Sequence, residues 1–403
     1  PAGHPLAAGD QNGHIGLWDT ATRRKTGTLA EGSPVESVAF SPDGHTLAAG
    51  DWSGHIGLWD TATGLITASL AEGSPAYSVA FSPDGHTLAA GDDNGYIGLW
   101  DTAPGQTTAA LAEGSPVGSV AFSPDGHTLA VGDWSGHIGV WDMMTGRRTA
   151  SLAEGSAVDS VAFSPDGHTL AAGDDNGHIG VWDVMTGRKT ASLSGGKTAD
   201  LSVGNGSGSI YSVAFSPDGH TLAAGGAIAD IGFIDVWGAA TWRQTAILAD
   251  DSPVESVAFS PDGHTLAAGD DNGHITLWDI AAGRKTATLA DGSTVESVAF
   301  SSNSPIVVTG DASGKVGMWN ANTGQQFARL GESGTVNGLA LSPDGQVLAI
   351  GGLNGNIVLL RQSLTDLTQP FFTHLICEKV RENITPAQWA QYAPGQPYQR
   401  TCS

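Results

Sequence analysis

One unit recurs nine times along this chain. Eight copies end on a tryptophan at near-constant spacing, Trp18, Trp59, Trp100, Trp141, Trp182, Trp237, Trp278 and Trp319, with Leu360 at the ninth. Most steps are 41 residues, and each unit reads roughly S-V-A-F-S-P-D-G-H-T-L-A-A-G-D-x-x-G-H-I-G-L-W-D. A unit that short cannot bury its apolar faces by itself, so copies must stack on one another. Self-similarity at this period points to a radial ring in which each copy forms one four-stranded blade.

The stretch from Val35 to Leu70 shows how one copy folds. V-E-S-V-A-F-S alternates and reads as the innermost strand, and S-P-D-G turns the chain, with Pro42 presetting φ and Asp43-Gly44 supplying the tight hairpin. H-T-L-A-A-G-D is a second strand, D-W-S-G or D-D-N-G a second turn, and H-I-G-L-W-D a third strand. T-A-T-G then leads into an outer strand.

These motifs resemble the WD-repeat family over about residues 1 to 360, in the S-P-D-G turns (Ser41 to Gly44, Ser260 to Gly263) and the Trp-Asp pairs (Trp18-Asp19, Trp59-Asp60, Trp278-Asp279). The resemblance implies an all-β propeller. It also implies a Gly-His step between outer and inner strands, hydrogen-bonded to an Asp before the third strand, a Ser or Thr and the Trp. Here that loop is A-E-G-S-P and the Asp position holds Asn94, Asn176 or Ser53, so this buried polar network is expected to be missing.

Second and third strands occur nine times, first and fourth strands eight times. The count favours a nine-bladed ring whose first blade lacks its inner strand and whose last lacks its outer one. The alternative is an eight-bladed ring with one hairpin displaced. The Trp237 unit is longer by 14 residues, with a Gly/Ser-rich insertion at about 194 to 209. Pro1 opens within a blade, so the chain reads as a fragment.

With 41 acidic against 17 basic residues and a net charge of −24, the chain is unsuited to a phosphate backbone, which excludes nucleic acid as the expected partner. No apolar run is long enough to span a bilayer and no signal-peptide pattern opens the sequence, so a cytoplasmic location without membrane contact is expected.

In the WD-repeat arrangement, loops from outer to inner strands share a face with loops from second to third strands. That face would carry Glu31, Glu36, Glu72, Glu113, Glu154, Asp159, Asp250, Asp251, Glu255, Asp291 and Glu296, with Asp51, Asp92, Asp93, Asp133, Asp174, Asp175, Asp270 and Asp271. Lys197 and Lys315 are the basic exceptions there, while Arg23, Arg24, Lys25, Arg147, Arg148, Arg188, Lys189, Arg284 and Lys285 fall on the other. The copies differ most at two positions. Just inside the first strand the series runs Glu36, Tyr77, Gly118, Asp159, Tyr211, Glu255, Glu296, Asn337; at the second turn it runs Gln11, Trp52, Asp93, Trp134, Asp175, Asp271, Ala312, Leu353. Trp52, Trp134, Tyr77 and Tyr211 among Asp93, Asp175, Glu36, Glu255 and Glu296 suit the anchoring of Lys or Arg side chains through ring faces and ion pairs.

Twelve of thirteen histidines follow hairpin glycines and read as turn caps, without the closely spaced pairs a zinc site needs. No catalytic constellation, metal site or cofactor motif stands out. Residues 361–403 depart from the repeat. Phe371 to Glu382 has helical spacing, Thr385-Pro386-Ala387-Gln388 reads as a capped helix start ahead of Trp389, and Cys377 and Cys402 would either form a disulfide or remain two buried thiols. This tail resembles the ends of WD-repeat regions in actinobacterial signal-transduction ATPases, which implies the sensor or scaffold part of a bacterial regulator. The sequence thus reads as a non-catalytic propeller at 1–360 with a helical tail, binding a protein or basic peptide on its acidic face. The alternative is an enzymatic or small-molecule-binding propeller using the central channel.

Overall fold

Alternating small and branched residues in S-V-A-F and L-A-A-G-D make strands that are narrow enough to converge on an axis. The computed structural model describes strands between Pro5 and Arg361, with short gaps at loops, and side chains chiefly between 33 and 326; residues 197–207 and 362–403 lie outside the described residues. The described strands all belong to the compact unit Pro1–Gln362. Among the described residues there is no helix. The expected tail helix, Cys377 and Cys402 lie outside them.

Seven antiparallel four-stranded blades form, with innermost strands Val35–Phe40, Ala76–Phe81, Val117–Phe122, Val158–Phe163, Ser209–Phe215, Val254–Phe259 and Val295–Phe300. The remaining six strands make a single sheet in the order Arg24–Leu29, Ile15–Asp19, Pro5–Gly9, Asn356–Arg361, Val347–Gly352, Val336–Leu341.

The nine-bladed ring is therefore overturned. Each innermost strand touches the innermost strand on either side, and Val336–Leu341 lies beside both Val295–Phe300 and Val35–Phe40, which closes the circle. The three described strands of the first copy take no place in that circle. They extend the last sheet outward instead, with Leu6 opposite Leu360, pairing backbone that would otherwise be an open edge.

The cores lie between blades. Ile97, Leu99 and Leu111 of one blade pack with Val117, Val120, Leu129 and Trp141 of the next, all buried, each contributing about 1.5–3 kcal/mol. Neighbouring innermost strands are not ladder partners, and the Ser of S-V-A-F joins them. Ser37 Oγ accepts from Val79 N–H at 3.1 Å, Ser78 from Val120 at 3.1 Å, Ser119 from Val161 at 3.2 Å, and the pattern continues through Ser160, Ser212 and Ser256. Ser119→Ala removes one acceptor and strands the Val161 amide, so urea unfolding should show a loss of about 1–2 kcal/mol. Ser119→Gly should lose at least as much.

The turns are as local as their sequences imply. In S-P-D-G-H, Asp43 Oδ1 takes the Ser41 hydroxyl at 2.6 Å and the His45 amide at 2.9 Å, with Gly44 at φ 71°. These two bonds, the Ser41 hydroxyl first, hold the Asp43 carboxyl below the usual carboxylate range. The histidine thus caps the turn through its backbone amide rather than its ring.

Candidate functional site

The series that varies most between copies has a common structural origin. In each innermost strand the pairing register shifts across one residue, between Val35 and Ser37, Ala76 and Ser78, Val117 and Ser119, Val158 and Ser160, Ile210 and Ser212, Val254 and Ser256, and Val295 and Ser297. Glu36, Tyr77, Gly118, Asp159, Tyr211, Glu255 and Glu296 are the residues so skipped. A β-bulge releases its extra residue from the ladder and re-aims its side chain. The second series is brought alongside: the amides of Trp52, Asp93, Trp134, Asp175 and Asp271 bond to the carbonyls of Pro34, Pro75, Pro116, Ala157 and Pro253, each two residues ahead of a bulge. Bulge and turn residues together form one rim.

Carboxyl groups dominate that rim and perturb one another. Asp159 is pushed up to about 7 by burial and by its hydrogen bond to Asp175. Glu255 is also pushed up to about 7, by burial first and then by Asp271 and Glu296. Glu296 is raised by burial, Asp271 and Glu36, and Asp271 by burial and Asp270. Both rim tyrosines are raised, chiefly by burial, Tyr77 also by Asp93 and Glu36 and Tyr211 also by Glu255 and Asp175. Such crowding favours any cation brought against it.

Of the four rim aromatics, two are brought together. Tyr77 and Trp134, from adjacent blades, stack with centroids 5.3 Å apart and planes at 23°. The Tyr77 hydroxyl donates to Asp93 Oδ1 at 3.3 Å. Trp134 lies flat because the bulge beneath it is Gly118, where a Cβ would stand 2.9 Å from the indole Nε1. Trp52 is 50% exposed and Trp134 45%; Trp52 and Tyr211 have no stacked ring among the described residues.

Many acids assigned to this face from sequence are elsewhere. Asp51, Asp92, Asp133, Asp174 and Asp270 are buried caps of the second hairpin turns. Asp133 Oδ1, for example, accepts from the Ser135 and His137 amides at 2.9 and 2.8 Å. Its second oxygen faces the His137 ring at 3.7 Å. Where Tyr96 replaces that histidine, burial raises Asp92. Glu31, Glu72, Asp250 and Asp251 lie outside the described residues.

Glu113 and Glu154 are also internal. Glu113 folds over Gly139, accepts from Trp141 Nε1 at 2.6 Å and pairs with Arg148 at 2.7 Å. Glu154 folds over Gly180 and pairs with Lys189 at 3.0 Å, whose ammonium lies 5.0 Å from the Trp182 ring centre. One blade uses Asp291 and Thr309 beneath Trp319, another Thr276 beneath Trp278. In the Trp237 blade Asp235 takes the place of the strand glycine, accepts the Gly196 amide at 2.7 Å and is raised to about 6 by burial. The family's polar network is thus replaced, not missing. Arg148 and Lys189 belong to it and not to an opposite basic face. Sequence reasoning missed these acids because A-E-G-S-P looks like an exposed loop; the signal was a glycine in the third strand, which leaves room for the acid.

Among the described residues, no cluster of His, Cys, Asp and Glu is arranged to hold a metal ion.

The fold and rim define a closed-ring β-propeller whose inter-blade residues carry its variation. The family model described as the first β-propeller of IFT122 matches residues 1–204, half of the chain; the WD domain, G-beta repeat, matches 199–228, and the N-terminal domain of nucleolar protein 10-like proteins matches 229–359. The chain belongs to the WD-repeat β-propeller family, whose members are typically protein-interaction scaffolds without catalytic activity. No curated protein matches it. A computationally designed protein, Ika8, aligns with a TM-score of 0.71 at 24% identity, over 82% of this chain and 96% of that one, which shows a shared fold.

Proposed function

We propose that this propeller is a non-catalytic scaffold that binds a basic protein or peptide segment across its bulged rim. The observation that carries the reading is the crowding of acids on the rim, where Asp159 is raised beside Asp175, Glu255 beside Asp271 and Glu296, and Glu296 beside Asp271 and Glu36. Arg148 and Lys189 are committed to the buried Glu113 and Glu154, so an external cation is the natural counter-charge for the rim acids. The tail's resemblance supports a place in a cytoplasmic bacterial regulator, as its sensor or scaffold region.

The test is binding of a fluorescent nona-lysine peptide to the full chain, followed by polarisation. Affinity should fall steeply between about 50 and 300 mM salt, because the ion pairs formed are screened. Glu255→Gln with Glu296→Gln should weaken it, and Arg147→Ala should leave it unchanged. Salt-independent binding, or a response to Arg147 instead of the rim, would reject the reading.

A further inference from the structure

The rim is not uniform, and its asymmetry selects among cations. Seven described bulge positions hold Glu, Tyr, Asp or a single glycine, and the glycine is the one beneath Trp134. Any side chain at position 118 would displace the indole; the Val158 carbonyl, 2.8 Å from where a Cβ would be, closes the other direction. With that space empty, Trp134 spans the boundary between two blades and rests on Tyr77, nearly parallel to it. One indole face is thereby used and the ring remains 45% exposed. Asp93 is bonded to the Tyr77 hydroxyl at one end of this shelf. The Val158 carbonyl abuts Gly118, and the residue after it, Asp159, is the bulge of the neighbouring innermost strand and is joined to Asp175.

We infer that the Tyr77–Trp134 stack, opened by Gly118, with Asp93 at one end and Asp159 at the neighbouring bulge, is an arginine-specific subsite within the acidic rim. This rests on the rim-binding reading above and deepens it. A guanidinium is flat and weakly hydrated, so it continues a stack of parallel rings as a third layer while its edge N–H groups remain free for carboxylates. An ammonium is compact and strongly hydrated; it gains from the ring face but has no plane to match and no fork to divide between two acids. Two nearly parallel rings also differ from an enclosing cage of rings set at angles, which would suit a bulky quaternary cation.

The experiment compares nona-arginine with nona-lysine, equal in length and charge, on the full chain by calorimetry. Nona-arginine should bind about three- to tenfold more tightly, the range a guanidinium–indole stack supports. Trp134→Leu and Gly118→Glu should each abolish that preference while leaving salt-sensitive binding of both peptides. Trp52→Leu, which removes an unstacked indole, should preserve it. Glu255→Gln, elsewhere on the rim, should weaken both peptides alike. Equal affinities, or a preference that survives Trp134→Leu, overturns the arginine subsite but leaves the rim reading intact. Failure of both peptides to bind overturns both.

Discussion

Replacing Arg148 with alanine is expected to lower the unfolding free energy by about 3 kcal/mol at neutral pH, as when one member of a buried ion pair is removed. Glu113, its partner, has a fully buried side chain, while Arg148 keeps about a third of its surface, which places the effect at the lower end of the usual range. Burial raises the Glu113 carboxyl, and the Trp141 hydrogen bond and the Arg148 charge pull it back. Without the arginine, the indole and His137 are what still pull it down. A buried acid with a raised pKa costs stability where it is ionised, so the deficit should shrink as pH falls and Glu113 takes up a proton. Urea titrations at about pH 7.5 and 5 measure both. Arg148→Lys should recover most of the loss, because Lys189 does the same for Glu154 one blade on. A deficit that is small, or equal at the two pH values, would show that the pair contributes little.

The rim should make the protein less stable as pH rises. Asp159 and Glu255 sit near 7 in the folded chain, far above about 4 for exposed carboxyls. Between those values the folded state holds more protons than the unfolded state, so unfolding free energy falls with increasing pH. Allowing for solvent screening at these partly exposed groups, each costs on the order of 2 kcal/mol by pH 8. Asp159→Asn with Glu255→Gln should flatten the slope of stability between about pH 5 and 8 and raise stability at the upper end. A basic peptide should have the opposite dependence, binding more tightly as the rim ionises and releasing protons as it binds. If the double variant keeps the slope of the natural sequence, the rim acids do not govern it.

These expectations differ in how far they were visible before the fold. The acidic, aromatic composition of the rim was visible as two series of differences between near-identical copies. That both series share one face near the channel mouth was visible as well; which of their side chains touch was not, because that depends on the bulge at Glu36 and its equivalents, and a bulge leaves no mark in an alternating V-E-S-V. The burial of Glu113, Glu154 and Asp133 was hidden for a related reason. A loop carboxylate reads as a surface charge unless its partners, here Trp141, Arg148 and the Ser135 and His137 amides, are known to surround it.

The sequence by itself determined the strands, the turns and the family. Their bonds close over a few residues, as when Asp43 takes the His45 amide or Asp51 that of His55. The tertiary structure decided what depends on blade meeting blade. It laid the strands Pro5–Gly9, Ile15–Asp19 and Arg24–Leu29 outside Asn356–Arg361 in one six-stranded sheet, a pairing between the first and ninth copies that no single copy encodes. It also set Trp134 on Tyr77, since the rotation between adjacent blades fixes which side chains meet across the boundary and no local pattern encodes that angle.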